Sequence, residues 1–176
     1  MVAHAPSEVA IRPASAEDGE ALGRMGAALA RLHHEYDPAR FMLPDDIEEG
    51  YRWWLLRERD NRKAVVLVAE LEGALVGYGY GRLEGKDWNR LLDRHGELVD
   101  LWVEPGARRG GIGAQLSEAV AAELIVRGAP RIVLATAAPN LAAQRLFERL
   151  GFRATMIEMT RDVEPPIRPP SRSRRK

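Results

Sequence analysis

The chain of 176 residues contains no cysteine. That excludes disulfides, thiolate metal sites and a cysteine nucleophile or acyl carrier, and it fits a reducing, cytoplasmic setting. Net charge is absent too: 26 Lys and Arg balance 26 Asp and Glu. No overall field therefore draws the protein to nucleic acid or to a membrane surface. No apolar run approaches the roughly 20 residues that span a bilayer, and residues 1–11 lack the apolar stretch of a secretory signal. Only four histidines are present, His4, His33, His34 and His95, without metal-ligand spacing, so no metal site is expected. What is there is ordinary globular composition, 45% apolar and 30% charged, enough for one domain with a single core.

Periodicity divides the chain into alternating elements. Val9–Arg12 reads as a short strand ended by Pro13. Ser15-Ala16-Glu17-Asp18 is a capping-box-like start to a helix with Leu22, Met25, Leu29 and Leu32 on one stripe. Pro38 and Pro44 precede a second helix near Asp45–Arg59, with Ile47, Tyr51, Trp54 and Leu55 inward. A hairpin follows: Ala64–Leu71, a turn at Glu72-Gly73, and Ala74–Arg82, where Gly77, Gly79 and Gly81 alternate and let a backbone or ligand come close. Glu84–Gly96 is a polar connection in which His95 reads as exposed. Later strands are expected at Leu98–Val103, Arg131–Thr136 and Ala154–Arg161, with helices after Gly111 and after Asn140. Residues 163–176, with four prolines and five basic residues, read as an extended or disordered tail, and residues 1–8 as a short N-terminal one. That leaves a single domain over 9–162.

The stretch Val103-Glu104-Pro105-Gly106-Ala107-Arg108-Arg109-Gly110-Gly111-Ile112-Gly113 closes a strand and opens a helix carrying Leu116, Val120 and Leu124. A glycine-rich turn at a helix start presents bare N–H groups and the positive end of the helix dipole, a ready site for phosphate. It lacks the Gly-Lys-Ser/Thr ending of the nucleotide-triphosphate loop. It also lacks the third glycine of the dinucleotide fingerprint. The remaining pattern, Arg108-x-x-Gly111-x-Gly113 after Val-x-Pro, resembles the GCN5-related N-acetyltransferase (GNAT) family. A second segment, Asn140-Leu141-Ala142-Ala143-Gln144-Arg145-Leu146-Phe147-Glu148-Arg149-Leu150-Gly151-Phe152, is similar to that family's Asn-x-x-Ala-x-x-Leu-Tyr-x-x-x-Gly-Phe.

The resemblance implies an α+β fold: a central mixed, largely antiparallel sheet flanked by helices, in the order β-α-α-β-β-β-α-β-α-β. It implies acetyl-CoA as cosubstrate, and direct transfer of its acetyl group to a primary amine of a small molecule or peptide. The pyrophosphate would lie on Arg108, Arg109, Gly110, Gly111, Ile112, Gly113 and Ala114, and the pantetheine arm along Leu101, Trp102 and Val103. The Leu101 N–H would face the thioester oxygen, and Asn140 and Phe147 would touch the cofactor. Glu97 aligns with the carboxylate base of the histone-acetylating members and Asp100 with an acidic residue of the polyamine-acetylating ones, and of the two Glu97 is preferred as the base. On a regular strand positions three apart face opposite sides, so one of the two should enter the cleft unless a bulge intervenes. Phe147 stands where the family carries a tyrosine acid. Either the thiolate leaves unaided, or Tyr78 or Tyr80 serves instead, or the domain is an acyl-CoA-binding module that catalyses little. A homodimer stays open as a further expectation.

Overall fold

The run Ala64–Leu71 is buried at its first six positions. A strand reaches that state only when both faces of its sheet are covered. The computed structural model describes residues 9–163, and its elements run β1 (Ala10–Pro13), α1 (Gly19–Tyr36), α2 (Ile47–Arg59), β2 (Ala64–Leu71), β3 (Ala74–Glu84), β4 (His95–Val103), α3 (Ile112–Val126), β5 (Ile132–Leu134) and α4 (Leu141–Arg149). The strands lie side by side in sequence order. All pairings are antiparallel except β4 with β5. Pro13 is tolerated because β1 is an edge. The β2–β3 turn needs positive φ at both positions and has it, at Glu72 (52°) and Gly73 (79°).

One cluster fills the front of the sheet, where α1 and α2 bring Leu22, Met25 and Leu55 against Val66, Val68, Tyr78, Tyr80 and Trp102. The other fills the rear, where α3 and α4 bring Leu116, Val120, Leu124 and Phe147 against Val65, Leu67 and Leu98. Fully burying one such aliphatic side chain stabilises the fold by ~1.5–3 kcal/mol. Two sets of glycines set the layer spacing. A Cβ on Gly26 of α1 would lie 2.2 Å from the Tyr51 ring, so the glycine is what lets α2 seat that tyrosine. On β3 the alternating glycines all turn rearward: a Cβ on Gly79 would meet Val120 at 3.0 Å, and one on Gly81 would meet it at 2.7 Å. The close approach they permit is that of α3.

The element order agrees with the sequence reading through α4. Three details differ. β5 holds only Ile132–Leu134, shorter than the run of β-formers around it. β3 continues to Glu84 and β4 already begins at His95, which is 1% exposed rather than solvated. The expected last strand, Ala154–Arg161, pairs with nothing among the described residues. Its apolar side chains Met156, Ile157 and Met159 are 82–89% exposed. An eight-residue strand pattern needs a partner edge and a covered face, and this segment rests on neither. The expected tails, residues 1–8 and 164–176, lie outside the described residues, as does His4.

Candidate functional site

Between Val103 and α3 the chain makes one short 3-10 turn, Pro105–Ala107, and then two left-handed residues, Arg109 (φ 71°) and Gly111 (φ 81°). A non-glycine residue held there costs of order ~1 kcal/mol, a strain that clusters at ligand clamps. The first helical hydrogen bond at this end is Gln115 N–H to the Gly111 carbonyl. Among the described residues, the N–H groups of 109–114 therefore have no acceptor, and six donors fan out at the positive end of α3. A Cβ on Gly110 or Gly111 would meet nothing closer than 3.8 Å, whereas one on Gly113 would lie 3.3 Å from Leu146 of α4. The Arg108 side chain folds back: its Nε donates to the Val103 carbonyl at 2.8 Å, and its guanidinium stacks on Trp102. It braces the turn from behind.

β4 and β5 are in register only from Gly96–Ile132 to Leu98–Leu134. Beyond that point the strands part, and β4 runs on to Val103 with β3 on its one side. The register between β3 and β4 shifts here: Tyr80 opposes Asp100, while Gly81 opposes Leu98, so Val99 is an extra residue. This bulge reverses the parity of the strand. Leu98 and Leu101, three apart, both enter the rear cluster. Glu97 and Asp100, also three apart, both face front, so the expectation that only one carboxylate enters that side gives way to its bulged alternative.

The two carboxylates differ in setting. Glu97 keeps a quarter of its side chain exposed and lies 3.4 Å from Arg90. Asp100 is 8% exposed, and its Oδ2 accepts a 2.9 Å hydrogen bond from the Tyr78 hydroxyl. Burial pushes the Asp100 carboxyl up to about 6, against the opposing pull of that hydroxyl. Burial, with the nearby Asp100 charge adding to it, also holds the Tyr51 and Tyr78 phenols above their ordinary value. Two residues further along β3, Tyr80 donates to Glu58 of α2 at 2.8 Å. Tyr78 and Tyr80 are fully buried with committed hydroxyls, which removes them as free proton donors for a leaving group. Glu58 escaped the sequence reading, and Tyr51 was read only as an inward residue of α2. The signal was a carboxylate on the inward stripe of α2, Tyr51, Leu55 and Glu58, where an apolar residue is the default.

On α4, the Asn140 Oδ1 caps the helix by accepting from Ala143 N–H at 3.1 Å. That gives Asn140 a structural task at the position assigned to the cofactor. Phe147 is 8% exposed and packs edge-to-face on Phe152, with centroids 5.7 Å apart. His33 and His34 bond the carbonyls of Leu29 and Phe41 and so tie down the end of α1. The Trp53-Trp54 pair splits: Trp54 packs on Tyr80, while Trp53 is 60% exposed under Arg57. Glu48 and Glu49 are ion-paired with Arg31 and Arg52, as a solvated mixed face would be. Among the described residues no group of three potential metal ligands gathers, and no helix is long and apolar enough to cross a membrane.

Comparison with known proteins gives this arrangement a context. The model of the acetyltransferase (GNAT) family matches residues 27–152. Mycothiol acetyltransferase of Streptomyces avermitilis is 33% identical over 103 residues, which cover 54% of this chain and 32% of that protein. The chain thus spans about a third of that relative's length. Among solved structures, a protein from Bacillus halodurans superposes with a TM-score of 0.76 at 21% identity, covering 88% of this chain and 99% of that one. A predicted acetyltransferase from Clostridium acetobutylicum, solved with acetyl-CoA, gives 0.67 at 16% identity, covering 87% and 96%. At such identities these two are likenesses of fold.

Proposed function

The chain belongs to the GNAT acetyltransferase family, and on that premise we propose that it transfers the acetyl group of acetyl-CoA directly to a primary amine. The observation that carries this is the fan of unpaired N–H groups at 109–114, beside a strand whose far edge is left open where β5 departs. The fan suits a pyrophosphate. The outer backbone edge along Leu101, Trp102 and Val103, where the Val103 carbonyl also accepts from Arg108, suits the peptide-like pantetheine arm, which adds to it as a further strand would. The Leu101 N–H then supports the charge that develops on the thioester oxygen, an electrostatic contribution that is usually the largest in such reactions. Phe147 lies beside the sulfur as a packing surface.

The amine must lose a proton before it attacks. For an alkyl amine of pKa ~10.4, that costs ~4–5 kcal/mol at neutral pH. Asp100 is the base we favour. Its Oδ2 is held by Tyr78, and among the described residues its Oδ1 receives no hydrogen bond, leaving that atom for the amine or an intervening water. Glu97, on the same face and more exposed, recognises the cationic acceptor. The thiolate leaves without a protein acid, which a thiol pKa near ~8.5 permits. The acceptor is a small molecule or peptide bearing a primary amine.

Turnover of acetyl-CoA with a panel of amines, read as thiol release, tests the assignment. Release that depends on amine and saturates in acetyl-CoA is the expected result. Tight acetyl-CoA binding without release for any amine would favour the rival reading, an acyl-CoA-binding module of the same fold, for which Phe147 is the argument.

A further inference from the structure

We propose that the hairpin of residues 85–94 selects the acceptor: Arg90 occupies Glu97 as an internal cation that the acceptor's ammonium must displace, and a hollow in the same hairpin receives the acceptor's apolar body. This deepens the acetyl-transfer reading and rests on its placing of a cationic acceptor at Glu97.

A short polar turn would suffice to join two antiparallel strands. Between Glu84 of β3 and His95 of β4 the chain instead builds a hairpin of its own. Asp87 and Leu92 exchange both backbone hydrogen bonds, at 2.8 and 3.0 Å, and the Asp87 Oδ1 accepts from the N–H groups of Asn89 and Arg90. Arg94 fastens its root by donating to the Arg127 carbonyl. The tip carries large apolar side chains where a turn asks for none: Trp88 is 80% exposed and Leu91 is 86% exposed. Paired on one loop, such residues mark a surface that takes a ligand. Lys86, Asp87, Trp88, Leu91, Leu92 and Asp93 line a hollow of about 200 Å³. A hollow of roughly 150 Å³ already holds one benzene-sized ring.

From the same tip, the Arg90 Nη1 reaches β4 and donates to the Glu97 Oε1 at 3.4 Å. The basic residue opposite Glu97 on β3 does not compete for it, because Arg82 is ion-paired with Glu84. The Arg90–Glu97 pair is exposed on both sides, so it adds little to stability and exchanges readily in water. A guanidinium held so loosely on the carboxylate that awaits an ammonium is a rival for that carboxylate. An acceptor displaces it only by gaining more than Arg90 loses. A short polar amine brings its charge alone. An amine carried on an apolar body also fills the hollow, and the internal rival thereby turns a weak attraction into a choice between acceptors.

The test measures thiol release by the full chain with acetyl-CoA and two acceptors, phenethylamine and ethylamine. Phenethylamine should have the higher kcat/KM, by roughly tenfold or more. Trp88→Ala should erase that preference through the KM for phenethylamine, with the KM for acetyl-CoA in place. Arg90→Ala should lower the KM for both amines by roughly three- to fivefold, with kcat moving less. Arg90→Lys keeps the competing charge and should keep the wild-type KM. Both side chains are exposed, so melting temperatures should stay with wild type. Equal use of the two amines overturns the proposal, as does a preference that survives Trp88→Ala, or an amine KM that Arg90→Ala leaves unchanged or raises. If no amine releases thiol, the acetyl-transfer reading fails by itself, and calorimetric titration of phenethylamine into the protein saturated with CoA decides this one. Tighter binding to Arg90→Ala than to wild type is then expected, and equal or absent binding overturns it.

Discussion

Burial raises the Asp100 carboxyl to about 6, and its bond from Tyr78 only partly offsets that. The unfolded chain titrates near ~3.9, so the folded state holds the proton more tightly. The stability this contributes is complete below the unfolded value and is lost as pH rises through about 6. At neutral pH the ionised carboxylate is therefore a burden on the fold. Asp100→Asn keeps an oxygen for the Tyr78 hydroxyl. Its melting temperature, relative to wild type, should climb between pH 4 and pH 7, while the acetylation rate at neutral pH falls by roughly 10²–10⁴-fold. Parallel stability curves would show that the carboxyl is not perturbed, and an undiminished rate would place the base elsewhere, with Glu97→Gln the next variant. Phe147 poses the complementary question about the leaving group. If the thiolate departs unaided, Phe147→Tyr should leave kcat nearly unchanged. A silent wild type awakened ~10²-fold or more by the hydroxyl would mean that the missing acid had silenced the domain. Melting temperature must be followed in parallel, because the new hydroxyl enters an apolar cluster behind the sheet.

The turn before α3 separates two roles that glycine plays within three residues. Gly111 has φ 81° and caps the helix, so a larger residue there strains the backbone as well as blocking the approach. Gly110 has no such φ, and a Cβ there would make only an ordinary contact, 3.8 Å from the Ala107 carbonyl. Gly110→Val should therefore leave the thermal transition of the free protein almost in place. By calorimetric titration it should lose at least tenfold in affinity for acetyl-CoA. Intact affinity would remove the phosphate from this turn. These elements were legible in the sequence because each rests on local chemistry: a 3.6-residue stripe in α1 and α3, a continuous apolar run in β2, alternating glycine in β3, glycine at turns. The bulge at Val99 was not. It depends on how β4 registers against β3, which no local pattern specifies, and with it went the side to which Glu97 and Asp100 point. His95 was misplaced for a related reason: Glu84 to Gly96 is polar in composition, but pairing of His95 with Glu84 draws its ring into the sheet. The strand expected at Ala154–Arg161 had the right composition, but among the described residues it pairs with no edge.

At the scale of the whole molecule, the start of α1 is tied to the sheet by one basic residue. Arg12 on β1 bonds both carboxylate oxygens of Asp18 at the start of α1, and also Glu70 on β2. The Arg12 guanidinium holds the Asp18 carboxyl down to about 2, with the Ser15 N–H adding to it. A lowered carboxyl contributes stability that is present above the unfolded value and disappears as pH falls from ~4 through about 2. Urea midpoints at pH 7 and pH 2 should differ more in wild type than in Arg12→Met, which should be the weaker protein at pH 7. Equal pH responses would show the tie to be idle. The overall plan was also readable in advance, because a layered α+β fold follows from the order of its elements. The depth of each layer was not, since it is set by pairwise contacts such as Gly26 with Tyr51. Strand β3 shows where such contacts lead. It is a septum one peptide thick, with Tyr78 and Tyr80 on one side and bare glycine on the other. Nothing larger than hydrogen fits behind it, so drift in side-chain volume is confined to the tyrosine side. The packed layer in front can be rebuilt with other side chains while the helix that starts at the glycine-rich turn keeps its place.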